Sequence, residues 1–285
     1  MNQDLAQDLA EVPLQQDTPS PQQASSDLTT AELAPRLHEC AVLLDIDGTL
    51  LDLAPTPREV WVPPGLAKTL NRLVERTSGA LALVSGRSLN DIDLIFAPEQ
   101  FSAVGGHGAE MRISIDNEAV ATHAPPMDKE LKRRLAAIAK LSPGILLEDK
   151  GYSLALHYRL APHAEKAIYA AVSLIRADLP NAPIEVLPGK CVCEIKHSGF
   201  DKASGVRELM AHEPFKGRHP IFIGDDVTDE SVFAIMPDLG GVAYSVGRRA
   251  QGVAGHFDEP GDVREWLARL LDDEAAASRL SPGSG

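Results

Sequence analysis

Residues 43–50 constrain the fold of this chain more than any other stretch of its sequence. An apolar run at 41–44 leads directly into Asp45, Asp47 and Gly48. Two residues that are two positions apart share a face of an extended strand, and a glycine after them lets the chain turn sharply. Open parallel α/β sheets bind their ligands at the carboxyl ends of strands. The stretch therefore predicts either two carboxylates in a site or a surface turn rich in Asp and Gly.

The composition limits the partners that such a site could serve. The chain has 285 residues, of which 44% are hydrophobic, and this is enough for a large core. Its net charge of -14 argues against nucleic acid or an anionic membrane surface as the main partner, because both require clustered lysine and arginine. The sequence shows neither an apolar run of about twenty residues nor a charged-then-apolar leader, so we expect a cytoplasmic protein without a membrane span.

The three cysteines, Cys40, Cys191 and Cys193, include no C-x-x-C pair. Their spacing predicts neither a zinc site nor a disulfide framework. Cys191 and Cys193 alternate with Val192 in a strand-like run, so we interpret them as small packing residues.

A second strand end carries a hydroxyl instead of a carboxylate. The apolar run at 80–84 is followed by Ser85, Gly86 and Arg87. A hydroxyl before the start of a helix can bind phosphate, since the free N–H groups of the helix point the same way. The alternative is that Ser85 only caps the following helix.

Two further segments place charged residues at the ends of predicted elements. A later strand-like run ends at Asp225, Asp226 and Asp229, and a predicted helix has Lys202 in its first turn. The helix dipole mildly disfavours a lysine at that end, so its presence suggests an anionic ligand. In a parallel sheet all these ends lie at one edge, together with the end of the first strand.

Acids that act on a phosphate need compensating positive charge. Two like unit charges about 4 Å apart repel each other by roughly 4 kcal/mol at an effective dielectric constant of about 20. A Mg²⁺ ion between the carboxylates and a phosphate oxygen, together with the ammonium of Lys202, offsets this repulsion. The sequence therefore predicts a phosphate site that is built around a divalent ion.

The sequence between 112 and 196 differs in texture from its flanks. Its strand-like pieces and two predicted helices are typical of an α+β module with an antiparallel sheet. One of its strands places Lys190 and Glu194 on the same face, which is either a solvated ion pair or a polar surface suited to sugar hydroxyls. The predicted domains are a core of 37–111 and 197–271, an inserted module of 112–196, a disordered or weakly ordered N-terminal extension of 1–36 and a C-terminal tail of 272–285.

Four motifs resemble those of the haloacid dehalogenase-like phosphatases. In chain order they are Asp45-Ile46-Asp47-Gly48-Thr49, Ser85-Gly86-Arg87, Lys202 and Gly224-Asp225-Asp226-Val227-Thr228-Asp229. Three longer segments, 104–110, 188–196 and 224–230, resemble the trehalose-6-phosphate phosphatases of that superfamily. The resemblance extends from about residue 41 to residue 271.

The resemblance implies an α/β fold, with a Rossmann-like parallel-sheet core and an inserted α+β cap. It implies Mg²⁺-dependent hydrolysis of trehalose 6-phosphate to trehalose and phosphate, the last step of trehalose biosynthesis. Asp45 is then expected to become an aspartyl phosphate, and Asp47 to act as general acid and afterwards as base.

The resemblance also implies the roles of the remaining site residues. Ser85 and Lys202 are expected to hold the phosphoryl oxygens. The expected metal ligands are Asp45, Asp47 through its backbone carbonyl, and Asp225, with Asp229 acting through water or from behind them. The residues expected to contact the substrate are Asp45, Asp47, Arg87, His107, Glu110, Lys190 and Glu194.

Other functions stay open. Another capped sugar phosphatase, such as one for sucrose phosphate, or a phosphosugar mutase would share the four motifs. Phosphoacceptor receiver modules also combine a strand-end Asp with a hydroxyl and a Lys, but they are about half this length and have no cap. An inactive binder would not need both Asp45 and Asp47. We expect a small-molecule substrate and a monomeric enzyme.

Overall fold

Strand β1 (Cys40–Leu44) is the centre of the fold, because it leads into Asp45 and pairs with a parallel strand on either side. All five of its residues are buried. A parallel strand that is covered on both faces reads as a continuous apolar run, as this segment does. The computed structural model describes residues 34–54, 59–115, 121–122, 124–189 and 191–279.

The strands of the described chain form two sheets, one of eight strands and one of four. After β1, in chain order, they are β2 (Leu81–Val84), β3 (Ser102–Gly105), β4 (Glu110–Arg112), β5 (Ala121–Thr122), β6 (Leu146–Asp149), β7 (Ser153–His157), β8 (Ile184–Gly189), β9 (Val192–His197), β10 (His219–Gly224), β11 (Val242–Val246) and β12 (Gly255–Phe257). The large sheet has the order β12-β11-β10-β1-β2-β3-β4-β5. Neighbouring strands from β12 to β3 are parallel, and β4 and β5 add an antiparallel edge.

The α-helices cover both sheets. They are α1 (Leu66–Arg76), α2 (Leu89–Phe96), α3 (Lys129–Ala136), α4 (Glu165–Asp178), α5 (Lys202–Leu209), α6 (Glu230–Ile235) and α7 (Pro260–Arg279). In the part of the chain that the structure describes, none of these helices combines the length and the apolarity of a membrane span.

The side chains that follow one another along β1 alternate between two cores. Val42 and Leu44 belong to the core beneath α1, α2 and α7, whereas Leu43 belongs to the core beneath α5 and α6. This alternation is the two-residue period of a strand. Asp45 follows with the parity of Leu43, toward the side of the sheet where α5 begins with Lys202.

The smaller sheet, with the order β6-β7-β9-β8, is antiparallel throughout. One face packs against α3 and α4 and contributes Cys193 and Ile195 to a third core, while the half-buried Cys191 packs against that core. The two cysteines are therefore packing residues, as predicted. We refer to the described residues from 129 to 197 as the cap module. The predicted fold class, a parallel-sheet α/β core with an inserted α+β cap, is confirmed.

Strands β4 and β5 correct one prediction. The predicted module of 112–196 includes the last residue of β4 and all of β5. In the structure β4 pairs with β3 and β5 pairs with β4, so both extend the large sheet. The reason lies at Arg112, which is 7% exposed and donates to the Phe101 carbonyl and to both carboxylate oxygens of Asp93. These contacts attach β4 to the core.

The two chain ends also differ from the prediction. The predicted tail begins inside α7, which continues to Arg279, and residues 280–285 lie outside the described residues. The continuation contains three alanines and Glu274, which favour helix. Of the predicted extension, residues 1–33 lie outside the described residues, and Ala34–Glu39 form a 3₁₀ helix.

Replacement of Arg112 by methionine tests how β4 is anchored. The change removes two hydrogen bonds to the Asp93 carboxylate, which keeps one from Gln100 Nε2 at 3.2 Å, and one to the Phe101 carbonyl, so we expect the free energy of unfolding in urea to fall by about 2 kcal/mol. The matched control is Arg133→Met, which removes an exposed pair with Glu130 and is expected to leave stability unchanged. An R112M protein as stable as the R133M protein would contradict this account.

Candidate active site

The turn after β1 fixes the first aspartate and the glycine that follows it. The N–H of Asp45 donates to the carbonyl of Ile223 at 2.9 Å, which continues the pairing of β1 with β10. Gly48 has a φ of +82°, and a Cβ at this position would overlap the carboxylate of Asp225. Glycine is therefore required here both for the backbone conformation and for the space.

Three carboxylates meet beside this turn. Asp45, Asp225 and Asp229 each offer an oxygen, and these oxygens lie within 4.8 Å of one another. The ammonium of Lys202 lies between two of them, at 2.7 Å from Asp45 Oδ1 and 2.7 Å from Asp229 Oδ1. The side chains of Lys202, Asp45 and Asp229 are at most 5% exposed. Strand β1, helix α5 and the turn after β10 thus converge on one buried ionic group.

The charges of this group do not balance. One ammonium faces three carboxylates, and burial raises the pKa of Asp45 well above its ordinary value although Lys202 opposes the shift. Burial and the charge of Asp229 raise the pKa of Asp225 from 3.8 to about 6. Burial disfavours the ammonium of Lys202, but Asp229 and Asp45 outweigh it and raise its pKa. Burial is the main cause of both shifts, and the negative charge of the neighbouring carboxylates adds to it.

This group fits a divalent cation. All three carboxylates supply oxygen, the donor that hard cations such as Mg²⁺ and Ca²⁺ prefer. With both charges of such a cation added, three carboxylates and Lys202 would be neutral. The group contains Asp45 and Asp225, which were predicted as metal ligands. It also contains Asp229, which was expected only to act through water or from behind them. The carboxylate of Asp47 lies outside it, so a role of Asp47 as ligand through its backbone carbonyl stays a prediction.

Asp47 is held by an arginine. Arg87 Nε donates to Asp47 Oδ2 at 2.5 Å, and Arg87 Nη2 donates to Asp47 Oδ1 at 2.6 Å. This fork-like geometry is the strong form of an arginine–carboxylate pair. The side chain of Arg87 is 12% exposed and that of Asp47 is 32% exposed. The pair thus joins the first and second predicted motifs.

Ser85 is buried at the end of β2, and it does not cap the following helix. The cap of α2 is Ser88, whose Oγ accepts from the N–H of Asp91 at 3.1 Å. Ser85 Oγ instead accepts from the N–H of Arg87 at 3.2 Å, and the Ser85 carbonyl accepts from the N–H of His107 at 3.1 Å. Because Ser85 Oγ acts as acceptor there, its hydrogen can be donated to an anion. The phosphate-binding role of Ser85 stays a prediction.

Glu194 faces the core from strand β9 of the cap module. It is 9% exposed, so it is not part of a solvated ion pair. Its Oε1 accepts from Ser153 Oγ at 2.8 Å and lies 3.4 Å from the ammonium of Lys150, and its Oε2 lies 3.5 Å from His107 Nε2. Burial opposes its ionisation, but Lys150, His107 and Ser153 outweigh burial and lower the pKa of Glu194. Glu194 is therefore an ionised acceptor at the seam between cap and core.

Sequence reasoning missed Lys150, which also donates to the carbonyl of Gly86 at 3.2 Å. It missed Glu148 as well, whose Oε2 lies 2.8 Å from His157 Nε2. Both follow the face of the smaller sheet that carries Glu194. Period-two counting along β6 could have paired Glu148 with Lys150, but only the register with β9 places them beside Glu194.

Three acids that the sequence singled out also accept hydrogen bonds from backbone N–H groups. Glu110 Oε2 accepts from the N–H of Leu89 at 2.7 Å, so one of its oxygens is occupied by the start of α2. Asp226 is exposed and accepts from the N–H of Val227 at 2.7 Å. Asp229 accepts from the N–H of Asp226 at 3.0 Å in addition to its contact with the lysine. Lys190 lies outside the described residues.

Two residues that the sequence did not single out support Asp225. Thr49 Oγ1 donates to Asp225 Oδ1 at 3.4 Å. Arg248 Nε donates to the Asp225 carbonyl at 3.1 Å, and Arg248 also forms an ion pair with Glu230 at 2.8 Å. Thr49 lies within the first motif, so it could have been suspected; Arg248 had no sequence signal.

The chain is similar to known proteins over most of its length. Residues 43–254 match the family model described as trehalose-phosphatase. The chain is 38% identical over 231 residues to the trehalose-6-phosphate phosphatase of Escherichia coli (strain K12), covering 81% of this chain and 86% of that protein. It is 42% identical over 217 residues to a Sinorhizobium fredii protein named "probable trehalose-phosphate phosphatase", covering 75% of this chain and 80% of that one.

Solved structures share the fold. The C-terminal domain of the Candida albicans trehalose-6-phosphate phosphatase is similar with a TM-score of 0.73 and 20% identity, covering 85% of this chain and 95% of that chain. A Bacteroides thetaiotaomicron phosphatase of the haloalkanoate (HAD) enzyme superfamily is similar with a TM-score of 0.55 and 15% identity, covering 83% of this chain and 96% of that chain. Identities this low support the fold alone.

The affinity for a divalent cation should rise with pH. Because the pKa of Asp225 is raised from 3.8 to about 6, the metal-free folded protein holds more protons than the unfolded chain between these values. The contribution of Asp225 to stability therefore falls as pH rises through this window. A cation needs the ionised carboxylate, so we expect Mg²⁺ affinity by calorimetry to increase up to about pH 7 and then level off. In Asp225→Asn the affinity should be low at every pH; an affinity of the parent protein that does not depend on pH would refute this.

Proposed function

Because the chain belongs to the trehalose-phosphatase family, we propose that it hydrolyses trehalose 6-phosphate to trehalose and inorganic phosphate, the last step of trehalose biosynthesis. The observation that carries the proposal is the group of three carboxylates, two of which are buried and paired with Lys202. Its excess negative charge suits the binding of a divalent cation, which in turn can bind a phosphate. The polar face of the cap module, with Glu194, contacts the core at His107 and would offer a surface for sugar hydroxyls.

In the first step an oxygen of Asp45 attacks phosphorus and the bond from phosphorus to the sugar oxygen breaks. Lys202 holds Asp45 Oδ1, which leaves Oδ2 for the attack. Asp47 donates a proton to the departing sugar oxygen. Since Arg87 holds the Asp47 carboxylate in the structure, we expect the phosphate ester to draw the guanidinium away before the proton is delivered. The product is an aspartyl phosphate on Asp45 and free trehalose.

In the second step a water molecule attacks the phosphorus of the aspartyl phosphate. Asp47, now without its proton, accepts one from the water, and the bond between phosphorus and Asp45 breaks. Inorganic phosphate leaves and Asp45 is restored. Splitting the hydrolysis in this way suits an ester whose uncatalysed reaction is among the slowest known.

The charges of the site support both steps. Mg²⁺, held by Asp45 and Asp225 and by the backbone carbonyl of Asp47, would supply positive charge against the phosphoryl oxygens. The hydroxyl of Ser85 and the ammonium of Lys202 would hold phosphoryl oxygens during transfer. Each acts from a buried position, where electrostatic interactions are stronger than in water.

The cap module would bind the disaccharide. Glu194 is an ionised acceptor, Lys150 is a donor, and His107 completes the group from the core side. Sugar hydroxyls both donate and accept, so a mixed set of this kind can satisfy several of them. Arg87, Glu110 and Lys190 are proposed as further contacts. Lys150 also contacts the carbonyl of Gly86, the residue after Ser85. The proposed sugar site and the proposed phosphate site are therefore linked through Lys150.

A panel of phosphate esters tests the proposed substrate. We expect phosphate release from trehalose 6-phosphate to exceed that from sucrose phosphate and glucose 6-phosphate by about 100-fold in kcat/KM, because the polar group around Glu194 would pair less well with hydroxyls that are missing or differently placed. Removal of Mg²⁺ by a chelator should abolish release from every ester. A preference for sucrose phosphate would refute the proposed substrate but would leave the proposed reaction, hydrolysis of a sugar phosphate, unchanged. Movement of phosphate between positions of one sugar would indicate a mutase, and a single phosphorylation without turnover would indicate a receiver.

Two aspartate variants separate the nucleophile from the acid. Asp45→Asn should lower kcat by on the order of 10⁴-fold or more on any phosphate ester, because no covalent intermediate can form. Asp47→Asn should lower kcat on trehalose 6-phosphate by about 100-fold or more. Its loss in the first step should be smaller on p-nitrophenyl phosphate, whose leaving group needs no proton, and single-turnover release of nitrophenolate measures this. Substantial turnover by D45N would contradict the covalent route.

A further inference from the structure

A second buried lysine has no part in the steps above. Lys196 lies in β9, two residues after Glu194, and is 3% exposed. It belongs to the segment 188–196 that resembles the family, yet it lies in the cap module and not in the buried ionic group. A buried ammonium is unfavourable unless it is paired and hydrogen-bonded. Its partners therefore show what it does.

Lys196 has one partner inside the cap module and one beyond it. Its ammonium lies 2.5 Å from Glu185 Oε1, and the two residues are directly opposite each other on β8 and β9. The ammonium also donates to the carbonyl of Phe200. The first contact supplies the counter-charge. The second reaches the chain after it has left the sheet.

Phe200 belongs to the short stretch that carries the chain from the cap module back to the core. We refer to residues 197–201 as the return segment. Its last residue, Asp201, caps helix α5: Asp201 Oδ1 accepts from the N–H of Ser204 at 2.7 Å, and Ser204 Oγ accepts from the N–H of Asp201 at 3.0 Å. The first residue of α5 is Lys202. The carbonyl that Lys196 holds is thus two residues before the lysine that pairs with Asp45.

The return segment is also fixed from the core side. A Cβ at Gly108 would lie 2.1 Å from the carbonyl oxygen of Asp201, so the two backbones touch. The ring of Phe200 packs with Ala109 and Tyr152. The segment is therefore held between Gly108 of the core and Tyr152 of the cap module, and Lys196 adds a charged contact to it.

We propose that Lys196 is a positioning residue for Lys202. By holding the Phe200 carbonyl from the cap module, it sets where α5 begins and so places the Lys202 ammonium between Asp45 and Asp229. The position of the cap is thereby linked to the phosphate end of the site through five residues of backbone. The inference deepens the proposed function and rests on it for the phosphoryl-transfer role of Lys202.

Two esters distinguish this role from sugar binding. Lys202 serves the phosphoryl group, which trehalose 6-phosphate and p-nitrophenyl phosphate share, so Lys196→Met should lower kcat by about 10-fold on both. Lys196→Arg keeps the charge and the donors and should recover most of the loss. Glu194→Gln should instead raise KM for the trehalose ester far more than for the nitrophenyl ester. Lys132→Met, which removes a cap pair with Asp149 at 2.7 Å, should match the parent on both.

Hydrogen exchange supplies a readout that does not depend on turnover. In K196M the amides of residues 200–205 should exchange at least about 10-fold faster than in the parent, whereas those of β7 should not change. If K196M does not fold, Glu185→Gln takes its place, since it removes the counter-charge from a half-exposed position. We expect E185Q to lower kcat on both esters and to speed exchange at the same amides, with smaller changes than in K196M.

The outcomes separate the two proposals. A loss in K196M on the trehalose ester alone would make Lys196 a sugar contact and overturn the positioning role, as would unchanged kcat on both esters in folded K196M or, if that variant does not fold, in E185Q. A parent protein that hydrolyses p-nitrophenyl phosphate but not trehalose 6-phosphate would refute the proposed substrate. The test of Lys196 on the nitrophenyl ester would still hold in that case.

Discussion

The buried contact of the Lys202 ammonium with Asp45 and Asp229 is the interaction on which the rest of the site depends. Asp45 is 157 positions away from the lysine and Asp229 is 27 positions away, so one ammonium joins three separate segments. Without it, carboxylates from β1 and from the turn after β10 would repel each other in a place that water does not reach. The large sheet brings the segments close together, and the positive charge of Lys202 offsets the repulsion between their carboxylates.

The two sheets present different sets of polar groups. The large sheet presents groups that suit a phosphate and a cation: carboxylates, a hydroxyl and an ammonium. The smaller sheet presents a mixed polar face around Glu194, which suits hydroxyls of a sugar. The two surfaces meet where Lys150 touches the Gly86 carbonyl and where His107 faces Glu194. In the proposed function, the core would thus supply the chemistry and the cap module the selectivity, and the two would meet at these contacts.

Sequence reasoning went furthest where local pattern decides the structure. The apolar run before Asp45 had to be a buried strand, and the rule that ligands bind at strand ends brought Asp225 and Lys202 to the same edge. It went wrong at β4 and β5, because strands of three and two residues have no periodicity and their pairing depends on distant contacts such as Arg112 with Asp93. Lys150 was missed for a related reason: its neighbours follow from the register of β6, β7 and β9.

The glycines around the carboxylates have a consequence for how the sequence can change over evolutionary time. Gly48 faces the carboxylate of Asp225, and Gly224 faces that of Asp229 in the same way, so a single methyl group at either position would displace a charged oxygen. Neither glycine takes part in any chemical step. Substitutions at these two glycines are nevertheless as restricted as substitutions of the acids they face. Neutral substitutions in this part of the chain are confined to positions whose side chains point away from the carboxylates.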